Sequence, residues 1–269
     1  MADASAQVEL QQILGQRLRG EVRFDPYSRA LYSTDASNHQ VTPLGVVFPE
    51  SEEDLFAVVE TAAELGVPLL PRGGGTSLSG SAVGEALILD CSKHLTQIHN
   101  IDTESQTAIV GPGVVCNQLN AAAAEHGLMY GPDPASADRA TFGGMIGTNA
   151  TGAHSIRYGM TADHVLAIDS VLSDGTAARF EETTVDGAEL KAGGGGLEAE
   201  IYAATLAIRG NYAKAVVERW PRTWRRSSGY SLNYLTHYTP DRPAAWYEEE
   251  YPPKSEFNLA PLLCGSEGT

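Results

Sequence analysis

The sequence is short of cysteine, of positive charge and of long apolar runs. Its 269 residues hold three cysteines, Cys91, Cys116 and Cys264, widely spaced and without a C-x-x-C pair. Neither a disulfide framework nor an iron–sulfur or zinc site follows from that spacing, and their ordinary role is that of small buried apolar residues. Lys and Arg number 18 against 34 Asp and Glu, a formal net charge of -16. That field repels phosphate and argues against nonspecific binding to nucleic acid or anionic membranes, so an anionic ligand needs local backbone donors and a few arginines. No apolar stretch approaches the length of a membrane span, and the N-terminal MADASAQVELQQILGQRL lacks the basic-then-apolar order of a signal peptide. The expectation is a soluble, cytoplasmic protein. None of the seven histidines forms an H-x-x-x-H or H-E-x-x-H pair. His94 and His99, in an expected loop, read as solvated, and no metal site is expected.

Hydrophobic residues make up 42% of the chain, enough for a sizeable core in one large domain or two intimate lobes. Val8 to Leu18 carries a weak helical stripe, and GVVFP (45–49) reads as a short buried strand. Ser51 is placed to cap a helix whose first turn holds Glu52, Glu53 and Asp54, where the helix dipole favours carboxylates. VPLLP (67–71) and ALILD (86–90) read as further strands, so 46–90 forms an α/β unit. Beyond it, 107–115 predicts a strand and turn, and 117–126 a helix closed by Gly127. The run 164–180 predicts a hairpin about Ser173-Asp174-Gly175-Thr176, and 197–217 a helix. The segment 187–196, with its AGGGG, reads as a flexible surface connector, since no strand precedes it. The Pro-, Tyr- and Glu-rich stretch 236–255 reads as an excursion.

Between the two strands lies LLPRGGGTSLSGSAVG (69–84). Successive glycines at a strand end can turn backbone N–H groups inward as a concave nest for phosphate. Glycine accepts the positive φ this requires and leaves no Cβ in the ligand's path. The loop is not a P-loop, because no Gly-Lys-Ser/Thr follows, nor a G-x-G-x-x-G fingerprint, because Leu78 stands at the third position. A tight loop that needs glycine only for sterics explains it equally well. The second glycine-dense segment, Tyr130 to Gly175, interleaves Gly143, Gly144, Gly147 and Gly152 with Ser136, Thr148, Asn149, Thr151 and Ser155. Two such segments suit one long ligand.

PRGGGTSLSG followed by PDPAS, FGGMIGTNATG, RYG and DHV resembles the FAD-linked oxidase family, with its vanillyl-alcohol-oxidase (PCMH) type of FAD-binding domain. Within that family the likeness is to D-2-hydroxyacid dehydrogenases, such as D-2-hydroxyglutarate and D-lactate dehydrogenases and glycolate oxidase subunits. It covers about residues 32–269 and implies an α+β fold of two subdomains, 32–92 and 93–269, after an N-terminal helical segment 1–31. It further implies that Arg72, Gly73, Gly74, Gly75, Thr76 and Ser77 surround the FAD pyrophosphate, with Gly80 letting the chain pass close by. Pro132, Asp133, Ser136, Gly143, Gly144, Gly147, Asn149, Gly152 and Ser155 match the segment around the ribityl and isoalloxazine portions. Asp163, His164 and Val165 match a strand start near the adenine side. Thr76 stands where some relatives carry a histidine bonded to the flavin, and threonine cannot form that bond, so noncovalent FAD is expected.

RRSSGYSLNYL (225–235) resembles the family's segment beside the substrate carboxylate, which makes Arg225 and Arg226 candidate substrate anchors. FNLAPLLCGSEGT (257–269) resembles the segment that returns to the flavin. The excursion 236–255 is a feature of long relatives fused to an iron–sulfur module, the candidate electron acceptor. The resemblance implies a substrate-capping region, with metal-binding histidines and the base, beyond Thr269, so no catalytic residue is assigned and the chain is expected to be incomplete. The implied function is the FAD-holding part of a D-2-hydroxyacid dehydrogenase. Alternatives are another oxidoreductase of the same fold, acting on alcohols or amines, or a flavin-binding module without turnover.

Overall fold

A computed structural model describes residues 4–221, 223, 225, 229–235 and 257–267. The excursion 236–255 and Arg226 lie outside the described residues.

The chain opens with helix α1 (Ala4–Arg17), strand β1 (Glu21–Arg23) and helix α2 (Pro26–Leu31). Strand β2 (Gly45–Phe48), helix α3 (Glu52–Glu64), β3 (Leu69–Arg72) and β4 (Leu87–Asp90) follow. The sheet order is β1-β2-β4-β3, with β4 parallel to both neighbours and β1 antiparallel to β2. Central β2 and β4 are buried at every position, which is why GVVF and LILD read as unbroken apolar runs. Alternation then sorts their side chains. Val47, Leu87 and Leu89 pack against Leu10 and Leu14 of α1 and Val58 of α3, while Val46, Phe48 and Ile88 face Tyr32 and Leu70. The segment before Tyr32 is therefore more than helical. It supplies β1 to the sheet, and the buried Asp54 carboxylate accepts the N–H groups of Arg19, Gly20 and Glu50 at 2.9–3.0 Å. Asp54 thus pins this segment to α3, beyond any effect of the helix dipole.

A hairpin of β5 (Ile98–Asp102) and β6 (Thr107–Val110) leads to helix α4 (Cys116–Ala124), then the short helices α5 (Phe142–Gly147) and α6 (Ser155–Tyr158). Their core holds Val114, Leu119, Ala140, Phe142 and Met145. His99 lies on β5, not in a loop as the spacing suggested. The β7 (Ile168–Val171) and β8 (Ala177–Phe180) hairpin turns at Gly175, as expected. Helix α7 (Val185–Ala192) occupies most of the expected connector, capped by the Thr184 hydroxyl, which accepts the Gly187 N–H at 3.0 Å. The connector itself narrows to Gly193–Gly196, ahead of α8 (Leu197–Arg219). Helix α9 (Ala260–Leu263) returns to this unit, where Phe180, Tyr202, Phe257 and Leu259 form the core.

No helix of the described residues is long and apolar enough to cross a membrane, and no cluster of possible metal ligands is found among them. Cys116 and Cys264 are fully buried, and burial pushes the Cys91 thiol up to about 12.

Candidate functional site

The first glycine loop leaves the carboxyl end of β3 in a sheet of parallel strands, the end where open α/β sheets place ligands. Arg72 closes that strand, and its guanidinium braces the chain on both sides. It donates to the Ala82 and Thr34 carbonyls, each at 2.8 Å, and stacks 5.1 Å above the Tyr32 ring. Within the loop only Gly75 (φ +63) and Gly80 (φ +85) use positive φ, so the expectation that successive glycines all need it does not hold. The Gly75 carbonyl accepts the Ala36 N–H at 3.0 Å, and Ser77 Oγ accepts those of Ser79 and Ser81 at 3.3 and 3.1 Å. By contrast, the N–H groups of Gly73, Gly74, Gly75, Thr76 and Ser77 reach no acceptor among the described residues. Five consecutive uncommitted donors make a site for an anion, because backbone N–H groups seldom lack an acceptor.

The second segment is held together by its own backbone. Ser155 Oγ donates to the Pro132 carbonyl at 3.3 Å and accepts the Gly152 N–H at 2.9 Å. A Cβ at Gly152 would overlap the Asp133 carbonyl, so only glycine lets these strands of chain touch. Asp133 and Asn149 both sit at positive φ, an uncommon state for non-glycine residues that clusters at functional sites. Asn149 is buried, its Oδ1 accepting the Ala162 N–H at 2.9 Å. The Ser136 carbonyl accepts from Arg139 and Ala140, and Gly143 donates to the Pro112 carbonyl at 2.8 Å.

Asp163 joins this segment to a later one, since its carboxylate accepts both the Met160 N–H at 2.9 Å and the Tyr234 hydroxyl at 2.7 Å. The His164 ring donates from Nε2 to the Tyr158 carbonyl at 2.8 Å, and burial lowers its pKa. Val165 packs into the last core. The Gly-Ser-Glu stretch returns here as well: Gly265 and Glu267 donate to the Ile146 and Gly147 carbonyls at 2.9 and 2.8 Å, and Ser81 Oγ reaches Glu267 Oε2 at 3.4 Å.

The two glycine segments meet on one seam. A Cβ at Gly73 would overlap Thr141 Oγ1, and one at Gly74 would overlap the Arg139 carbonyl oxygen. These two glycines are bare so that the loop can lie on the second segment, and the steric explanation holds for them. Gly144 borders the same hydroxyl, an added Cβ there standing 3.5 Å from Thr141 Oγ1. Sequence reading missed Thr141, Glu267 and Tyr234. The usable signal was position: Thr141 directly precedes the Phe-Gly-Gly that opens α5. Arg225 is exposed and stands apart from these contacts, and Arg226 lies outside the described residues.

A family model described as an FAD binding domain matches residues 43–181, which carry both segments. The chain is 34% identical over 256 residues to a D-2-hydroxyglutarate dehydrogenase of Pseudomonas putida, covering 93% of this chain and 24% of that protein. It is 42% identical over 132 residues to a D-lactate dehydrogenase of Archaeoglobus fulgidus, covering 48% of this chain and 29% of that one. Among solved structures, wild-type BBE-like 1 of Physcomitrella patens superposes with a TM-score of 0.56 at 23% identity, over 63% of this chain and 37% of that one. The chain thus spans about a quarter of the length of the hydroxyglutarate relatives it matches.

Proposed function

This chain belongs to the FAD-linked oxidase family, with an α+β FAD-binding domain of the vanillyl-alcohol-oxidase type, and we propose that it is the FAD-holding part of a D-2-hydroxyacid dehydrogenase. FAD is the cofactor. The observation that carries the reading is the seam: the uncommitted N–H groups of Gly73–Ser77 lie against a second segment of small and polar residues. A pyrophosphate, which only accepts hydrogen bonds, fits that donor row and needs it on a chain of net charge -16. When bound, FAD supplies a two-electron acceptor at N5 for the hydride from the hydroxyacid Cα, leaving a 2-oxoacid once the hydroxyl proton is also lost.

In this reading Gly73–Ser77 hold the pyrophosphate, and Arg72 positions them through the Ala82 and Thr34 carbonyls. Pro132, Asp133, Ser136, Gly143, Gly144, Gly147, Asn149, Gly152 and Ser155 shape the path of the ribityl chain and ring, while Asp163, His164 and Val165 support the adenine side. Thr76 has no ring nitrogen to alkylate, so the FAD is held noncovalently and denaturation releases it. Arg225 and Arg226 anchor the substrate carboxylate, a task suited to a planar guanidinium. The substrate class is supported by the names of the relatives, and electrons pass onward to an acceptor for which an iron–sulfur module is the candidate.

The test is anaerobic addition of D-2-hydroxyglutarate or D-lactate to FAD-loaded protein, in the 269-residue form and in a form extended through a capping region. The extended form is expected to lose its flavin absorbance, and the short form to lose it slowly. Full-rate bleaching by the short form would place the base within these residues. No bleaching by either, with FAD bound, would reject the substrate class and leave a flavin-binding module.

A further inference from the structure

Thr141 presents a polar atom that the protein leaves without a partner. The residue is 2% exposed, and its hydroxyl meets no donor or acceptor among the described residues. It is placed to cap α5, yet makes no cap bond. A buried hydroxyl without a hydrogen bond is destabilising, and native structures rarely keep one without a reason. Its neighbours suggest the reason. The hydroxyl lies between Gly73 and Gly144, at the edge of the loop whose N–H groups, from Gly73 to Ser77, are also uncommitted. The unpaired donors of both segments therefore converge on one place.

We propose that the Thr141 hydroxyl is a hydrogen-bond donor to a phosphate oxygen of FAD, completing across the seam the donor row that Gly73–Ser77 begins. The inference rests on the FAD reading above. In the ligand-free protein the hydroxyl lies beneath Gly73, so it becomes available when the side chain turns about χ1 or the loop lifts. Neither movement drags a side chain at residues 73–75, because there is none. An acceptor-only phosphate suits a hydroxyl that has found no acceptor in the protein.

The consequence is a separation of two quantities that structural residues move together. Removing the hydroxyl should weaken FAD binding while leaving the FAD-free protein as stable as before, or more so. The experiment compares unmodified protein with Thr141→Val, Thr141→Ala and Thr141→Ser, by FAD titration and by melting of the FAD-free form. Valine and alanine are expected to weaken FAD by about tenfold or more, the loss of a charge-assisted bond, and serine to restore it to within about threefold. The alanine variant guards against crowding of Gly73 by the valine methyl. At saturating FAD, valine should also shift a ³¹P resonance of the bound pyrophosphate and leave the flavin visible spectrum unchanged.

Unchanged affinity in both Val and Ala variants overturns the proposal. So does a fall in FAD-free melting temperature that parallels the loss of affinity, which would make the hydroxyl structural. A changed visible spectrum with unchanged ³¹P shifts would move the contact to the ring and overturn the phosphate assignment. If the unmodified, folded protein binds no FAD, the proposed function falls with it, an outcome distinct from variants that bind as tightly as the parent.

Discussion

The chain contains two glycine runs of similar appearance, Gly73–Gly75 and Gly193–Gly196, and the structure uses them for opposite purposes. At the first, a side chain on Gly73 or Gly74 would overlap Thr141 or the Arg139 carbonyl. At the second, an added Cβ on Gly195 would meet nothing within 4 Å. The first run allows two distant segments to touch, with its N–H groups left for a ligand. The second joins α7 to α8. A run of glycines therefore carries no meaning in itself, and what surrounds the missing Cβ supplies it.

Substitution by alanine should break this symmetry of composition. The largest effects are expected at Gly74 and Gly152, whose Cβ atoms would overlap the carbonyls of Arg139 and Asp133. Backbone cannot rotate away as a side chain can, so each Ala variant should lose about 1–3 kcal/mol of stability and most of its FAD affinity together. Parallel urea unfolding and FAD titration would check this, and affinity lost at full stability would show that Gly74 faces the ligand alone. Gly75→Ala comes next. Its φ of +63 is strained for alanine, but its nearest neighbour is the movable end of Arg72, at 2.7 Å from the added Cβ. A loss of about 1 kcal/mol is expected. Gly195→Ala should instead stabilise by about 0.4–1 kcal/mol, because it restricts the unfolded chain without meeting anything in the folded one. A destabilised Gly195→Ala would mean that the second run is packed after all.

The smallest effect concerns His164, on the second segment. Burial favours its neutral form, so its folded pKa lies below the ordinary value of 6.5. The unfolded chain then binds the proton more readily, and stability present above about pH 6.5 is lost as pH falls toward the folded value. Thermal melts across that interval should show a shallower pH slope for His164→Gln than for the parent protein.

Much of this was legible from local sequence. The apolar runs of β2 and β4, the Ser51 cap, the Gly175 turn and the loop at the end of β3 all announce themselves within a few residues. What escaped depends on partners far along the chain. β1 is a three-residue edge strand recognisable only by its pairing with β2, and β5 is half exposed and bulged between Ile98 and Asn100. Helix α7 was hidden because Gly187 and the adjoining run resemble a loop, although Thr184 caps it. The site divides in the same way. Its glycines could be found by composition, but the meeting of Gly73 with Thr141, and of Tyr234 with Asp163, is a property of the fold.

The central claim is that the seam beside Gly73–Ser77 holds FAD, and equilibrium titration of FAD into the unmodified, Gly74→Ala and Gly195→Ala proteins tests it most directly. The account predicts micromolar or tighter binding, reversed by denaturation, that is alike in the unmodified and Gly195→Ala proteins and largely lost in Gly74→Ala. A folded unmodified protein that leaves FAD in solution, or three proteins that bind it equally, would contradict it.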